Sequence, residues 1–518
     1  MSTNVVNLDA LIPRADMSDL IEPSGSPQDK IDIHHLEQSF FSTALRKPDF
    51  QRETTRWSPE KVVDLIRAFV DGDLIPAVIL WQRGRHVFVI DGAHRIGALM
   101  AWVKDDYGDR QTSMEYFGGQ IPEEQKKAAE RTRTTVNAKI GPYAEYLAAR
   151  IKPEAANPDI RPRVARLATQ TLTAQWVPSV DQKAAEDSFF KINQAATPID
   201  PTERRILRSR QSPNAISARA IVRGGTGHKY WAHYPPAAQS EIEAIAREVH
   251  DALYEPPIVE GPIKTMDLPV AGHGYNALPV IFDLVNWANN VPDPKGEKDL
   301  ALPKDADGSK TIEFLKEVRK ITRLLTGPNP SSLGLHPVVY FYTRGGEFQP
   351  GAFLATAEFI KDLSDGGKLK SFTAVRGKFE DFLIAHKEFI TLTIKRTGAG
   401  RRSLNRIVRY FDFVFSRFAS GQNHDDVLAA LHADQEFGYL AQPSPPKGTN
   451  PTGRFNRATK SASFLDAAIG SGVRCAICGA MAHRNSMQID HIQKKSEGGA
   501  TDVSNAQATH PYCNSSKG

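Results

Sequence analysis

Cys475-Ala476-Ile477-Cys478, then Ile489-Asp490-His491-Ile492, Gly498-Gly499 and Asn505, and finally His510-Pro511-Tyr512-Cys513-Asn514 make up the most informative stretch of this 518-residue chain. It holds all three of the chain's cysteines. A C-x2-C pair followed by a His-x2-Cys pair supplies four soft or borderline ligands, the set that suits tetrahedral zinc. An odd number of clustered cysteines in a chain without a secretory leader argues for metal rather than disulfides. A segment of roughly 48 residues cannot bury enough surface to be stable alone, so a structural ion gives it a reason to fold. Cys475, Cys478, His510 and Cys513 are the expected ligands. His483 could stand in for His510, which has the paired spacing.

The order of knuckle, Asp-His, double glycine, two asparagines and second knuckle resembles the HNH, or ββα-metal, nuclease family over residues 474–518. Carried over residue by residue, the resemblance implies that His491 is the general base that activates water. It implies that Asp490 and Asn514 hold a catalytic Mg2+ or Mn2+ ion and that Asn505 orients the histidine. An imidazole accepts a proton near neutral pH, and a hard ion on oxygen ligands offsets charge on a phosphodiester. Histidine 510 stands where many relatives carry a cysteine. Four residues follow Asn514, about one turn of the helix that usually bears this ligand, so neighbouring segments or a partner subunit are expected to support it.

Outside this module the chain is long enough for about three domains. Its 40% hydrophobic and 24% charged residues are ordinary for a globular protein and exclude a largely disordered or fibrous one. No apolar stretch approaches the ~18 residues of a membrane span, and the N-terminus lacks a cationic leader. A cytoplasmic location without membrane contact is expected. The net charge of +5 lies wholly in residues 441–518, where nine Lys or Arg face four Asp or Glu. Such a local surplus suits a polyanionic partner, here DNA, or simply a solvated tail. Residues 395–409 add six basic side chains, readable as a phosphate-contact patch or a solvated helix face. Residues 1–35 read as a flexible arm, 36–215 as an α/β domain, 216–440 as mainly helical, 441–470 as a basic linker and 471–518 as the zinc-stapled module.

In the α/β domain, Ser58-Pro59 provides an N-cap and an N1 proline for an amphipathic helix that ends at Gly72. Strands follow over 76–81 and 86–90, and Asp91-Gly92 opens directly into a helix over 93–103. Free backbone N–H groups at a helix start can bind phosphate, although a turn of this kind is commonplace.

Phe50-Gln51-Arg52, Trp57-Ser58, Ile75-Pro76 and Asp91-Gly92-Ala93-His94-Arg95 form a series that resembles the ParB/sulfiredoxin-like domain whose members carry Asp-Gly-Gln-Gln-Arg or Asp-Gly-Gln-His-Arg. Phe189-Phe190-Lys191-Ile192-Asn193, Thr197-Pro198-Ile199 and Glu203 extend it to about residue 210. The resemblance reaches GmrSD-like type IV restriction enzymes and SspE-like anti-phage proteins. It implies a nucleotide- or DNA-sensing role for Asp91, Gly92, His94, Arg95, Gln51, Arg52 and Asn193, with an NTP as ligand. Ala93 replaces the first glutamine, which favours binding over hydrolysis, and Phe50 stands where relatives often have tyrosine.

The expectation is a multidomain α+β protein: a metal-dependent DNA endonuclease of anti-phage or modification-dependent restriction, regulated by its N-terminal domain. Phage or modified DNA is the expected partner, with homo-oligomers open. The alternatives are a nuclease-dead DNA-binding protein and a partition-like nucleotide switch.

Overall fold

A computed structural model of the chain describes residues 5–15, 28–37, 39–49, 57–119, 121, 123–155, 157–178, 185–186, 188, 201–258, 261–272, 278–292, 302–398, 401–441 and 455–517. The N-terminal unit is built on a six-stranded mixed sheet. Its strands are β1 (Arg14–Ala15), β2 (Lys30–Ile31), β3 (Leu45–Pro48), β4 (Val78–Arg83), β5 (His86–Asp91) and β6 (Leu172–Trp176), in the spatial order β1-β3-β5-β4-β6-β2. β4 and β5 are an antiparallel hairpin, whereas β3 runs parallel to β5 and β6 parallel to β4. The centre of the sheet is buried on both faces, which explains the unbroken apolar runs Val78–Trp81 and Val87–Ile90.

Helix α1 (Pro59–Asp71) begins where the Ser58 side chain accepts from the Lys61 N–H and ends at Gly72 in the left-handed region. Helix α2 (Ala93–Lys104) starts at Gly92, whose φ is 95°. A Cβ there would lie 2.6 Å from Val78 Cγ1, so glycine alone fits this turn.

The expected N-terminal arm is corrected in part. Val6, Leu8, Leu11 and Ile12 are buried in the same core as α1 and α2. The intervening Asp9, 3% exposed, takes ion pairs from Lys47 (2.5 Å) and Arg14 (3.2 Å). Burial pushes the Asp9 carboxyl up, but Arg14, Lys47 and Arg223 together hold it well below the usual range.

The described residues between 201 and 470 are mainly helical, and most of their buried apolar side chains share one large core. The helices used below are α3 (Pro201–Arg208), α4 (Leu278–Ala288), α5 (Pro350–Asp365), α6 (Leu369–Ala385), α7 (Glu388–Thr397), α8 (Arg401–Ala419) and α9 (Arg457–Gly470). α5, α6 and α8 meet through a cluster of Phe359, Phe372, Phe379, Phe411 and Phe415, with ring centroids 5.4–6.2 Å apart.

The expected linker is also corrected in part: 442–454 lie outside the described residues, but α9 is a packed helix. Leu465 and Ile469 join the helical core, Ser461 Oγ accepts from the Ile263 N–H at 3.0 Å, and Arg344 pairs with Asp466 at 2.8 Å. Among the described residues no helix is long and apolar enough to cross a membrane.

Lys387, just ahead of α7, is buried and donates to the carbonyls of Val338 and Tyr342. Burial lowers its pKa to about 7, against the weaker pull of Asp466. Between pH 7 and the ordinary lysine value the unfolded chain holds a proton that the folded one lacks. Stability therefore rises with pH in this window, by up to roughly 1.4 kcal/mol per unit for one proton. In Lys387→Met that slope should fall by one proton's worth in urea unfolding at pH 7, 8 and 9; an unchanged slope would show that Lys387 stays charged in the fold.

Candidate nuclease centre

The C-terminal module is a small antiparallel pair, β7 (Gln488–His491) and β8 (Ala506–Thr509), followed by the short helix α10 (Pro511–Ser515). The Cys475–Cys478 turn closes through Gly479 N to Cys475 O (2.9 Å) and Cys475 N to Ala480 O (2.8 Å), and Ala476 N reaches Ala508 O on β8 at 2.9 Å.

These elements bring together all four expected zinc ligands. The ligand atoms of Cys475, Cys478, His510 and Cys513 lie within 4.8 Å of one another. His510 Nδ1 is 3.4 Å from Cys478 Sγ, while its Nε2 sits 3.0 Å from the Met481 carbonyl. That carbonyl fixes the tautomer with Nε2 protonated and leaves the Nδ1 lone pair for the thiols.

The thiols compete for protons. Hydrogen bonds from Cys478 and Cys513 hold the Cys475 thiol far below its usual range, and the shared bond pushes Cys478 up to about 11. Such crowding relaxes when a divalent ion replaces the protons, so the donor set fits structural zinc. His483, the alternative ligand, lies elsewhere: it is fully buried, its ring 5.4 Å from that of His336.

The helical unit carries the module. Arg376 and Glu380 on α6 are both 0% exposed and paired at 2.8 Å. Glu380 Oε2 accepts from the Met481 N–H at 2.8 Å, and Oε1 accepts from the Tyr340 hydroxyl at 2.9 Å. Arg376 donates to the carbonyls of Leu333 and Gly334, and its Nη1 is 3.5 Å from His510 Nδ1. A divalent ion on three thiolates leaves one net negative charge, and the guanidinium lies beside it.

Gly377 completes the seat. Its N–H donates to Cys478 O at 3.1 Å, and a Cβ there would fall 2.8 Å from that oxygen. The loop after residue 326 supports the other side, through Gln488 Nε2 to Pro328 O (3.2 Å), Tyr512 N to Ser332 O (2.9 Å) and Ser515 Oγ to Pro330 O (2.9 Å). Neighbouring segments of the same chain thus brace the short helix that bears Asn514.

At the expected catalytic residues, Asp490 and His491 end strand β7. Burial raises the Asp490 pKa, but hydrogen bonds from Lys517 (2.8 Å) and Gln507 (3.1 Å) bring it below the ordinary value. Lys517 Nζ also meets the carbonyls of His491 (2.6 Å) and Ile492 (3.3 Å). Three oxygens thus converge on the Lys517 ammonium, which holds the Asp490 carboxylate in its ionised form.

Asn514 Nδ2 donates to Gln488 Oε1 at 3.0 Å. His491 Nε2 is 3.3 Å from Thr501 Oγ1. Asn505 exchanges hydrogen bonds with the Gln493 backbone (2.8 and 3.0 Å) and donates to Ala500 O (2.7 Å), so it shapes the loop after His491 rather than touching the ring. Lys517, Gln507 and Thr501 escaped the sequence reading. Lys517 alone had a signal, standing one helical turn beyond Asn514.

In the N-terminal unit, Asp91 and Arg95 pair with each other at 2.5 Å, and Arg95 also donates to Ala77 O at 3.1 Å. His94 stacks on Trp57 with centroids 5.4 Å apart. Gln51, Arg52 and Asn193 lie outside the described residues.

Two antiparallel strands, a short helix, a Cys3His cluster and a strand-end Asp-His together form a compact ββα module with a possible metal site. Family models agree. Residues 475–518 match HNH endonuclease and residues 33–210 match GmrSD restriction endonuclease, N-terminal domain, so the chain is similar to a GmrSD-like HNH fusion. The two domains support a nuclease of a restriction system, with DNA as its substrate. No curated protein and no solved structure matches the chain.

Removing one partner of a buried ion pair costs ~3–5 kcal/mol. Glu380→Ala should lose stability on that scale and release zinc that the parent holds at about one ion per chain. Unchanged denaturant midpoints and metal content in this variant would show that the pair does not seat the knuckle.

Proposed function

We propose that the protein is a divalent-metal-dependent DNA endonuclease of anti-phage, modification-dependent restriction, in which the N-terminal unit governs cleavage by the HNH centre. The observation that carries this reading is the placement of Asp490 and His491 together at the end of β7, next to the Cys3His cluster and within the residues that match the HNH endonuclease model.

Asp490 and Asn514 would hold the catalytic Mg2+ or Mn2+. The ion supplies charge neutralisation at the scissile phosphate and the leaving oxygen. His491 acts as general base. With Nε2 against the Thr501 hydroxyl, Nδ1 is the atom that receives the proton of the attacking water. Asn505 positions His491 through the backbone of residues 492–493, and Lys517 keeps Asp490 ionised.

Regulation rests on the resemblance of the Asp91–Arg95 turn to nucleotide- and DNA-sensing domains. An NTP phosphate at the start of α2 would compete for Arg95 with Asp91, so the ion pair is the element a ligand would rearrange. A regulator shifts two states only by binding them unequally.

One assay tests both parts: cleavage of modified and unmodified phage DNA with Mg2+ or Mn2+, with and without each NTP. His491→Ala should lose ~10² to 10⁴ in rate while keeping its zinc. Asp91→Ala should change the response to DNA modification or nucleotide. Full activity of His491→Ala would move the active site elsewhere, and an Asp91→Ala variant identical to the parent in every condition would remove the sensor role.

A further inference from the structure

A cavity of about 770 Å³ opens in the helical unit between α3, α4, α5, α7 and α8. Its size is that of a small-molecule site. Leu354, Ile394 and Leu404 give it apolar wall, and Trp287 adds a half-buried aromatic ring. Thr202, Asp283, Asn290 and Ser403 also line it, and the packing sets two further polar groups, Arg205 and Asn286. Arg205 projects from α3 with its guanidinium carbon 5.6 Å from the Phe282 ring centroid, and its buried Nε has no hydrogen-bond partner among the described residues. Asn286, 7% exposed, accepts from Asn214 Nδ2 at 2.8 Å through Oδ1, which fixes its carboxamide and reserves Nδ2 as a donor for the cavity.

Exposed basic residues stand next to two lining segments in the chain: Arg402 precedes Ser403 and Leu404, and Lys395 and Arg396 follow Ile394, the Arg396 guanidinium lying 4.8 Å over the Tyr439 ring. They belong to the basic stretch 395–409 that stood out in the sequence, which the nuclease centre does not use. An aromatic face, a fixed amide donor and a half-buried arginine are elements that recognise a nucleobase together with its adjoining phosphate.

We propose that this cavity binds a nucleotide unit: Trp287 stacks on the base, Asn286 donates to its edge, and Arg205 faces its phosphate. The occupant is either a free nucleoside triphosphate or a nucleotide extruded from DNA. This rests on the nucleic-acid reading above and gives it a discriminating site outside the HNH module. Because Arg205 lies within the GmrSD-type match and Trp287 in the helical unit, an occupied cavity would tie the two together.

The full-length, zinc-loaded protein is tested in two arms. Equilibrium dialysis with ATP, GTP, CTP and UTP addresses the free nucleotide. Fluorescence of 2-aminopurine in duplexes with and without modified bases addresses extrusion, since the probe brightens when unstacked. Saturable binding in one arm is expected, weakened at least about tenfold by Trp287→Ala, the loss expected for a base–aromatic stack. Trp287→Phe should retain most of it, and Arg205→Met should weaken it while changing its salt dependence. No binding in either arm, or binding indifferent to all three substitutions in variants that melt like the parent, would overturn the proposal. DNA cleavage by the parent is scored separately, so the nuclease reading can fail while the cavity stands, and the reverse.

Discussion

The Arg376–Glu380 pair is the constraint on which the nuclease end of the molecule depends. Two opposite charges with no solvent access incur a desolvation cost that only complete hydrogen bonding offsets. Their partners are spread over sequence: Tyr340, the carbonyls of Leu333 and Gly334, and the Met481 N–H. Satisfying the pair therefore brings α6, the loop after residue 326 and the zinc knuckle to one place. Gly377, next to Arg376 on the same helix, lets the Cys478 carbonyl approach where any side chain would obstruct it.

This seating bears on how the cutter is controlled. A module on a flexible tether would be regulated by release. Here the knuckle is part of the helical unit's buried surface, with Met481 in the same core as α5, α6 and α8. The Asp490–His491 strand end stays partly exposed. Under the proposed regulation, control would act on DNA access or on the position of the whole C-terminal half. The cavity beside Trp287 and the Asp91–Arg95 pair are the two places where a ligand could enter that coupling.

Much of this was legible in the chain itself. Ser58-Pro59 and Gly72 bounded α1, Asp91-Gly92 marked the strand-to-helix turn, and the ligand spacing picked out all four members of the Cys3His cluster. These features are local, a cap or a spacing set by a few neighbouring residues. The illegible parts are long-range. Residues 455–470 follow a proline- and glycine-rich stretch, so composition hid a helix whose Leu465 and Ile469 find a core built by distant segments. Val6, Leu8 and Ile12 are too short a pattern to read as structure until Lys47 and Arg14 are known to close on Asp9. Nothing in the sequence sets Arg376 and Glu380 apart from an ordinary i,i+4 pair; only tertiary packing makes them interior. Arg95 read as a phosphate contact, and its pairing with Asp91 four residues earlier shows that it also has work inside the fold.

Amide hydrogen exchange on the zinc-loaded protein tests the central claim, that the nuclease module is built into the helical unit, most directly. The Met481 and Gly377 amides, which donate across the contact to Glu380 and Cys478, should exchange as slowly as the interior of α6 and at one common opening free energy. Fast exchange at these two amides, with α6 itself fully protected, would contradict the account and restore a separately tethered module.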